Sequence, residues 1–240
     1  LHLPARGGRA QWSPNEKVAF EVALGAAYGG ARSVVTMKHV GVNVAADPLF
    51  TAAYTGVPAA LILISADDPG MASSQNEQDN RHYAVAAGVP MIEPSDSQEA
   101  HDFFLHAVAV SERWHIPVLF RMTTRVCHSK TIVTTGLKQE PETPAPPAYT
   151  RSIRERVMIP AYARPAHRRL RQKLAEIAES NEGSPLNTRT DGVRTLGIIS
   201  SGIAAMHVRE VAPDASFLKL GTTYPLPMGI IRGFAESVDR

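Results

Sequence analysis

The side chains able to do chemistry fall at one helix start and in three loops. Glu16 stands in Ser13-Pro14-Asn15-Glu16, where Ser13 would cap a helix, Pro14 take its first position and Glu16 close a capping box. The helix dipole favours a carboxylate there, so its structural reading is a cap and its functional reading an acid or base. Lys38 and His39 lie in a polar turn directly after the β-rich run Ser33 to Met37, a common place for functional groups. The stretch Asp67 to Asp79 packs Asp67, Asp68, Ser73, Ser74, Gln75, Asn76, Glu77 and Asp79 together. That is more hydrogen-bonding capacity than a loop can bury without a ligand or a partner, unless it is an exposed loop rich in turn formers. Its acidic spacing matches no calcium loop. Arg125 and His128, with Arg121 and Thr124 nearby, follow an apolar run and face either the same crevice or the edge of a domain. Cys127 reads as an inert buried thiol.

These residues must be positioned by an α/β sheet. Glu16 to Tyr28 predicts a helix with Val18, Val22 and Ala26 on one face, flanked by Phe20, Leu24 and Tyr28 and stopped by Gly29-Gly30. Ser33 to Met37, Ala59 to Ala66, Val89 to Glu93 and Ile116 to Met122 predict strands. The second is continuously apolar, as a parallel strand buried on both faces would be. A small-residue helix from Asn43 to Tyr54, and one from a Ser95/Gln98 capping box to about Trp114, fall between them. Strands alternating with helices predict a parallel sheet whose strand ends form a ligand crevice. Neither a Walker A loop nor a GxGxxG fingerprint follows any strand.

The composition is that of a folded domain: 240 residues, 44% hydrophobic, 20% charged. A formal net charge of +2 gives no reason to invoke nucleic acid or a membrane surface, and no run approaches the ~18 apolar residues of a membrane span. The single Cys127 excludes an internal disulfide, which favours a cytoplasmic setting, and excludes a cysteine-ligated iron–sulfur cluster within the segment. The first domain is expected to cover residues 1–138. Residues 139–193 form a linker with four prolines in Gln139 to Tyr149, then a basic amphipathic helix over Pro165 to Glu179 whose Arg168, Arg169, Arg171 and Lys173 read as a solvated face. Residues 194–240 begin a second β–α pattern, Thr195 to Ser200 and Ser216 to Leu220, too small to close a core by itself. Lacking an initiator Met, the chain is expected to be a piece of a longer product.

Five ordered motifs carry a resemblance: Trp12-Ser13-Pro14-Asn15-Glu16-Lys17-Val18-Ala19, Met37-Lys38-His39-Val40-Gly41-Val42-Asn43, Ala66-Asp67-Asp68-Pro69-Gly70-Met71, Ser73-Ser74-Gln75-Asn76-Glu77-Gln78-Asp79 and Glu93-Pro94-Ser95-Asp96-Ser97-Gln98-Glu99. In this order they resemble the alpha subunits of indolepyruvate ferredoxin oxidoreductases, within the thiamine diphosphate-dependent 2-oxoacid:ferredoxin oxidoreductases. The resemblance covers Gln11 to Thr131 and resumes over Gly197 to Arg240. It implies a parallel-sheet pyrimidine-binding domain of the thiamine diphosphate fold, followed by the start of a transketolase C-terminal-like α/β domain. Glu16 matches the glutamate that hydrogen-bonds N1′ of the aminopyrimidine and promotes the tautomer that deprotonates the thiazolium. Lys38, His39 and Asn43 would help hold the cofactor, and Ser74, Gln75, Asn76, Asp79 and Arg125 would line the entrance. Magnesium and [4Fe-4S] clusters would be held by regions beyond Arg240, and the fragment would be inactive alone. The implied partners are a beta subunit, ferredoxin, a 2-oxoacid and coenzyme A, with no nucleic acid or membrane. The resemblance implies oxidative decarboxylation of aryl 2-oxoacids, indolepyruvate first; the alternatives are a pyruvate or branched-chain 2-oxoacid oxidoreductase subunit and, in another class, a non-catalytic interaction module built on the same fold.

Overall fold

A computed structural model describes residue 3, residues 7–136 and residues 148–240. The expected boundary near Lys138 and residues 139–147 of the expected linker lie outside the described residues. In chain order the elements are α1 (Glu16–Tyr28), β1 (Ser33–Lys38), α2 (Gly41–Val44), α3 (Ala46–Thr55), β2 (Leu61–Asp67), α4 (Arg81–Ala87), β3 (Met91–Ile92), α5 (Ser97–Trp114), β4 (Val118–Thr123) and α6 (Thr124–His128). After the undescribed stretch come α7 (Ile153–Arg156), α8 (Pro160–Glu182), β5 (Thr188–Thr190), β6 (Val193–Ser201), α9 (Gly202–Val211), β7 (Ala215–Leu220), β8 (Thr222–Tyr224) and α10 (Met228–Glu236).

Strands β1, β2, β4 and β3 lie side by side in that order and parallel, in the register Val35↔Leu63, Ile64↔Phe120 and Met91↔Leu119. Strand β2 is buried on both faces, as its unbroken apolar run requires. Leu61 and Leu63 join Phe20, Leu24, Leu49 and Val35 in one core, while Ile62 joins Val118, Phe120, Phe103 and Ala107 in a second beneath α5. Every strand of this set therefore ends on the same side, where the loops carrying the candidate residues emerge.

Both expected caps are displaced. Asn15, in extended backbone, accepts a hydrogen bond from the Val18 amide at 3.0 Å and is the N-cap of α1, so Glu16 is the first helical residue and closes no capping box with Ser13. Asparagine caps as well as serine does, and it stands nearer the apolar repeat. The buried face of α1 is Phe20, Ala23, Leu24 and Ala27, with Val22 exposed: Phe20 and Leu24, the two largest apolar side chains before Tyr28, enter the core, and the alanines beside them let the helix pack closely. Helix α5 is capped by Asp96, which accepts from the Glu99 amide at 2.8 Å, rather than by Ser95. Glu99 in turn accepts from the Ser95 amide and hydroxyl at 2.9 and 2.6 Å. The expected helix at Asn43 to Tyr54 is two, α2 and α3, hinged at Ala45.

Helix α8 is longer than the expected Pro165 to Glu179 and is no mere spacer: Leu170 and Ile177 enter the main core. Its arginines 168, 169 and 171 are exposed, as a solvated face would be, whereas Lys173 is half-buried and donates to the His115 carbonyl at 3.4 Å. Strands β5, β7 and β6 make a second, three-stranded sheet with α9 and α10 against it. The chain then returns to the first sheet, where β8 pairs antiparallel with β3. Strands β5 and β8, three residues each, have no counterpart in the sequence reading. Among the described residues no helix is long and apolar enough to cross a membrane.

Candidate active site

The parallel register brings the ends of β1, β2 and β4 level, and the turn after β1 meets the loop after β2. Lys38 donates to the Ser73 carbonyl at 2.9 Å, His39 Nε2 lies 3.0 Å from the Asn76 carbonyl, and Asn43 donates to Gln78 at 2.9 Å. Asn43 also accepts from the Tyr83 hydroxyl at 2.5 Å. His39 is fully buried, and with Nε2–H donating to a carbonyl its Nδ1 is a bare acceptor. That Nδ1 is buried and has no partner among the described residues.

The loop after β2 satisfies most of its own polar groups. Asp68 accepts from the hydroxyl of Ser74 at 2.7 Å, the amide of Ser73 at 2.8 Å, the hydroxyl of Thr124 at 2.8 Å and the amide of Ala72 at 3.2 Å. These bonds, that from Ser74 foremost, hold its carboxyl well below the usual carboxylate range. Glu77 accepts from the Gly70 amide at 3.0 Å. The polar density of the loop is thus answered largely from within, by its own turns and by Thr124, which is closer to the reading of an exposed loop rich in turn formers than to that of a ligand-filled one. Gln75 and Asn76 remain exposed, and Asn76 contributes its backbone carbonyl alone.

Beneath the loop is a buried ionic cluster. The Arg121 guanidinium, at the end of β4, donates to Asp67 at 2.7 Å and to Glu93 at 3.0 Å, and Asp79 stands 3.7 Å away. Burial disfavours the arginine's charge, but Glu93 and Asp67 more than offset this and hold the group above its ordinary value. Asp67 also accepts from the Ser65 hydroxyl and the Asn80 amide at 2.7 and 3.1 Å, and Asn80 donates to the His39 carbonyl at 3.1 Å. Burial works to raise the Asp79 carboxyl, yet its fork with Arg81 and the nearby Arg121 bring it down to about 2. The cluster therefore ties β2, β3 and β4 together and, through Asn80, fixes the turn that carries His39.

Glu16 reaches the same region from α1. Its side chain is half-buried and makes no hydrogen bond or ion pair among the described residues. It lies directly over Gly41, the first residue of α2: a Cβ at that position would stand 2.6 Å from Glu16 Cγ, 3.0 Å from Oε1 and 3.1 Å from Cδ. Glu16, Lys38, His39, Asn43, Ser74 and Asp79 are thus carried by one connected set of elements. Arg125 is not joined to them; it is exposed on α6, as are Cys127 and His128, so the thiol is not buried as expected. Sequence reasoning missed the Arg121 cluster and Gly41. The available signal for the first was an arginine inside the otherwise apolar Ile116 to Met122, since a charge in a buried strand demands partners.

A parallel sheet with polar loops at its strand ends, beside a second α/β unit, defines an open-sheet α/β protein with its candidate crevice at the strand ends. The chain belongs to the family described as pyruvate flavodoxin/ferredoxin oxidoreductase, thiamine diphosphate-binding, which matches residues 12–177. It is 44% identical over 235 residues to the indolepyruvate oxidoreductase subunit IorA of Methanothermobacter marburgensis, covering 95% of this chain and 38% of that protein. It is 41% identical over 239 residues to the subunit of the same name from Archaeoglobus fulgidus, covering 96% and 37%. The chain thus spans well under half the length of these relatives. Among solved structures, the 2-oxoglutarate:ferredoxin oxidoreductase of Magnetococcus marinus superimposes with a TM-score of 0.72 at 15% identity, over 100% of this chain and 50% of that one. A split-gene transketolase follows with a TM-score of 0.56 at 12% identity, over 93% and 60%. At such identities these two show the fold.

Proposed function

We propose that the chain forms the pyrimidine-binding wall of a thiamine diphosphate-dependent oxidoreductase that decarboxylates aryl 2-oxoacids, with indolepyruvate as substrate. The observation that carries this is Glu16: a half-buried carboxylate with no partner among the described residues, at the strand ends of a sheet belonging to this family. The residues present fit an aminopyrimidine. Glu16 offers an acceptor for a ring N–H, and the buried bare Nδ1 of His39 marks a second acceptor nearby that awaits a donor. When bound, thiamine diphosphate supplies the carbanion chemistry that removes carbon dioxide from a 2-oxoacid. Glu16 holds a proton at the ring nitrogen. Lys38, His39 and Asn43 fix the turn beside it, and Ser74, Gln75, Asn76 and Asp79 shape access, with Arg125 at the outer edge. A carboxylate facing a ring nitrogen acts more strongly as burial lowers the local dielectric, and the half-buried position of Glu16 gives part of that gain.

In the complete reaction carbon dioxide would leave, the acyl group would depart as a coenzyme A thioester, and the two electrons released would be taken up one at a time by ferredoxin, with iron–sulfur clusters outside this segment supplying the electron-transfer chemistry. Magnesium, those clusters and the electron exit belong, on this reading, to other parts of the longer protein and to a beta subunit, so this segment is inactive by itself. Residues 1–138 act as the pyrimidine-binding domain, 139–193 connect and brace it, and 194–240 open the transketolase C-terminal-like domain.

The test is Glu16→Gln in the full-length protein with its partner subunit. A neutral amide cannot support the charge of a protonated ring nitrogen, and loss of an acid–base group costs about 10²-fold or more in rate. Indolepyruvate oxidation should fall by at least that factor with thermal stability intact. Near-normal oxidation would remove Glu16 from the chemistry, and a fall in stability without loss of rate would return it to a helix-start role.

A further inference from the structure

The Glu16 carboxylate arm lies over Gly41, and the lack of a side chain at Gly41 is what makes room for it. Resting on the reading of Glu16 above, we propose that Gly41 is a positioning residue: its bare Cα sets where the Glu16 carboxylate stands, and any side chain there would push that carboxylate away from the cofactor's pyrimidine.

Three observations carry this. First, the three heavy atoms nearest to a Cβ at position 41 all belong to Glu16, at 2.6, 3.0 and 3.1 Å, and non-bonded carbons do not approach to 2.6 Å. Second, one side of this contact is fixed. The turn holding Gly41 is tied by the bonds Val42 N to His39 O at 3.2 Å, Asn43 N to Val40 O at 3.2 Å and Ala45 N to Gly41 O at 3.0 Å, and the His39 carbonyl is held by Gln78 and Asn80. The other side is the flexible end of a glutamate with no partner among the described residues. A methyl group added at 41 would therefore displace the carboxylate and leave the backbone in place. Third, no backbone requirement explains the glycine. Gly41 has helical backbone at the head of α2 and is not among the glycines with positive φ. Apart from proline, glycine is the poorest residue for such a position, so local propensity favours alanine.

The experiment uses the full-length protein with its partner subunit and Gly41→Ala, Glu16→Gln and the double variant. Two quantities are read: the melting temperature without cofactor, and the rate at which the thiazolium C2 proton of bound thiamine diphosphate exchanges for deuterium, followed by quenching and NMR. Gly41→Ala should leave the melting temperature unchanged or slightly higher and slow the exchange at least about tenfold. In the Glu16→Gln background the same substitution should slow exchange no further, since a residue acting through Glu16 has nothing left to act on. Unchanged exchange in Gly41→Ala, with exchange slowed in Glu16→Gln, would overturn the role of Gly41 and leave that of Glu16. Equal slowing by Gly41→Ala in both backgrounds would also overturn it, because the methyl would then act on the cofactor or another group. So would a melting temperature that falls together with the exchange rate, which would show that backbone had moved. Unchanged exchange in Glu16→Gln would remove both readings together.

Discussion

At the scale of single residues, the buried guanidinium of Arg121 is the electrostatic centre of the strand ends, and its contribution shows in what its removal leaves behind. Arg121→Met would leave Asp67 and Glu93 facing each other in the interior without a cation. Breaking a buried pair by removing one partner costs about 3–5 kcal/mol. The denaturant midpoint should fall accordingly at constant slope. Arg121→Lys should recover only part of this, because an ammonium on a single stem cannot bridge two carboxylates on different strands as a planar fork does. Asp79 makes a prediction with a pH signature. Its carboxyl is held at about 2 against an ordinary 3.8, so its contribution to stability is present in full above the unfolded value and is lost as pH falls from about 4 to about 2. Asp79→Asn should flatten the acid limb of the stability curve across that window, measured by denaturant titration at stepped pH. The arginine was visible in the sequence as a charge inside an apolar run. Its partners, 54 and 28 residues distant, were not, because periodicity says nothing about which strand ends meet.

At the scale of elements, the four parallel strands were legible because each is a short apolar run between helical patterns, and burial on both faces is what such a run requires. The caps were legible only approximately. Ser13 and Asn15, or Ser95 and Asp96, are all competent to accept the first free amides, and only the geometry of the turn chooses between them. The role of α8 was hidden by its charge. Its exposed arginines dominate the composition, while Leu170 and Ile177, set on the opposite side, reach the core. Leu170 lies against Gly88, where a Cβ would come within 3.3 Å of its Cδ2. Leu170→Ala should therefore open a cavity at the α8–α4 junction and cost about 2–4 kcal/mol, read as a drop in denaturant midpoint. A value near zero would mean that α8 rests on the surface as a solvated connector, as its sequence by itself implies.

At the scale of the whole molecule, the second unit is bound to the first at a crossing that no local pattern announces. Strand β7 is buried along its length, Lys219 from it pairs with Glu99 of α5, and the chain steps through Gly221 into β8, which extends the first sheet at β3. Asn187 fixes that step by accepting from the amides of Gly221 and Thr222 at 3.0 and 3.1 Å, while its own amide donates to the Asn181 carbonyl at 2.9 Å. Leu186, next to it, packs into the core beneath α5. The crossing is too crowded for any side chain on Gly221, since a Cβ there would stand 2.6 Å from the Leu186 carbonyl oxygen and 2.7 Å from Phe103 Cε2. Unlike the contact at Gly41, the first of these is backbone held by the Asn187 clamp, so the strain cannot be relieved by turning a side chain. Gly221→Ala should cost about 1–3 kcal/mol, the usual penalty of overpacking a filled interior. Because the crossing belongs to both sheets, the loss should be shared. Amide hydrogen exchange should accelerate in β3 and β4 as well as in β7, and by similar factors, if the two sheets open as one cooperative unit. Acceleration confined to β7 and β8 would show that the second sheet opens independently and only leans on the first.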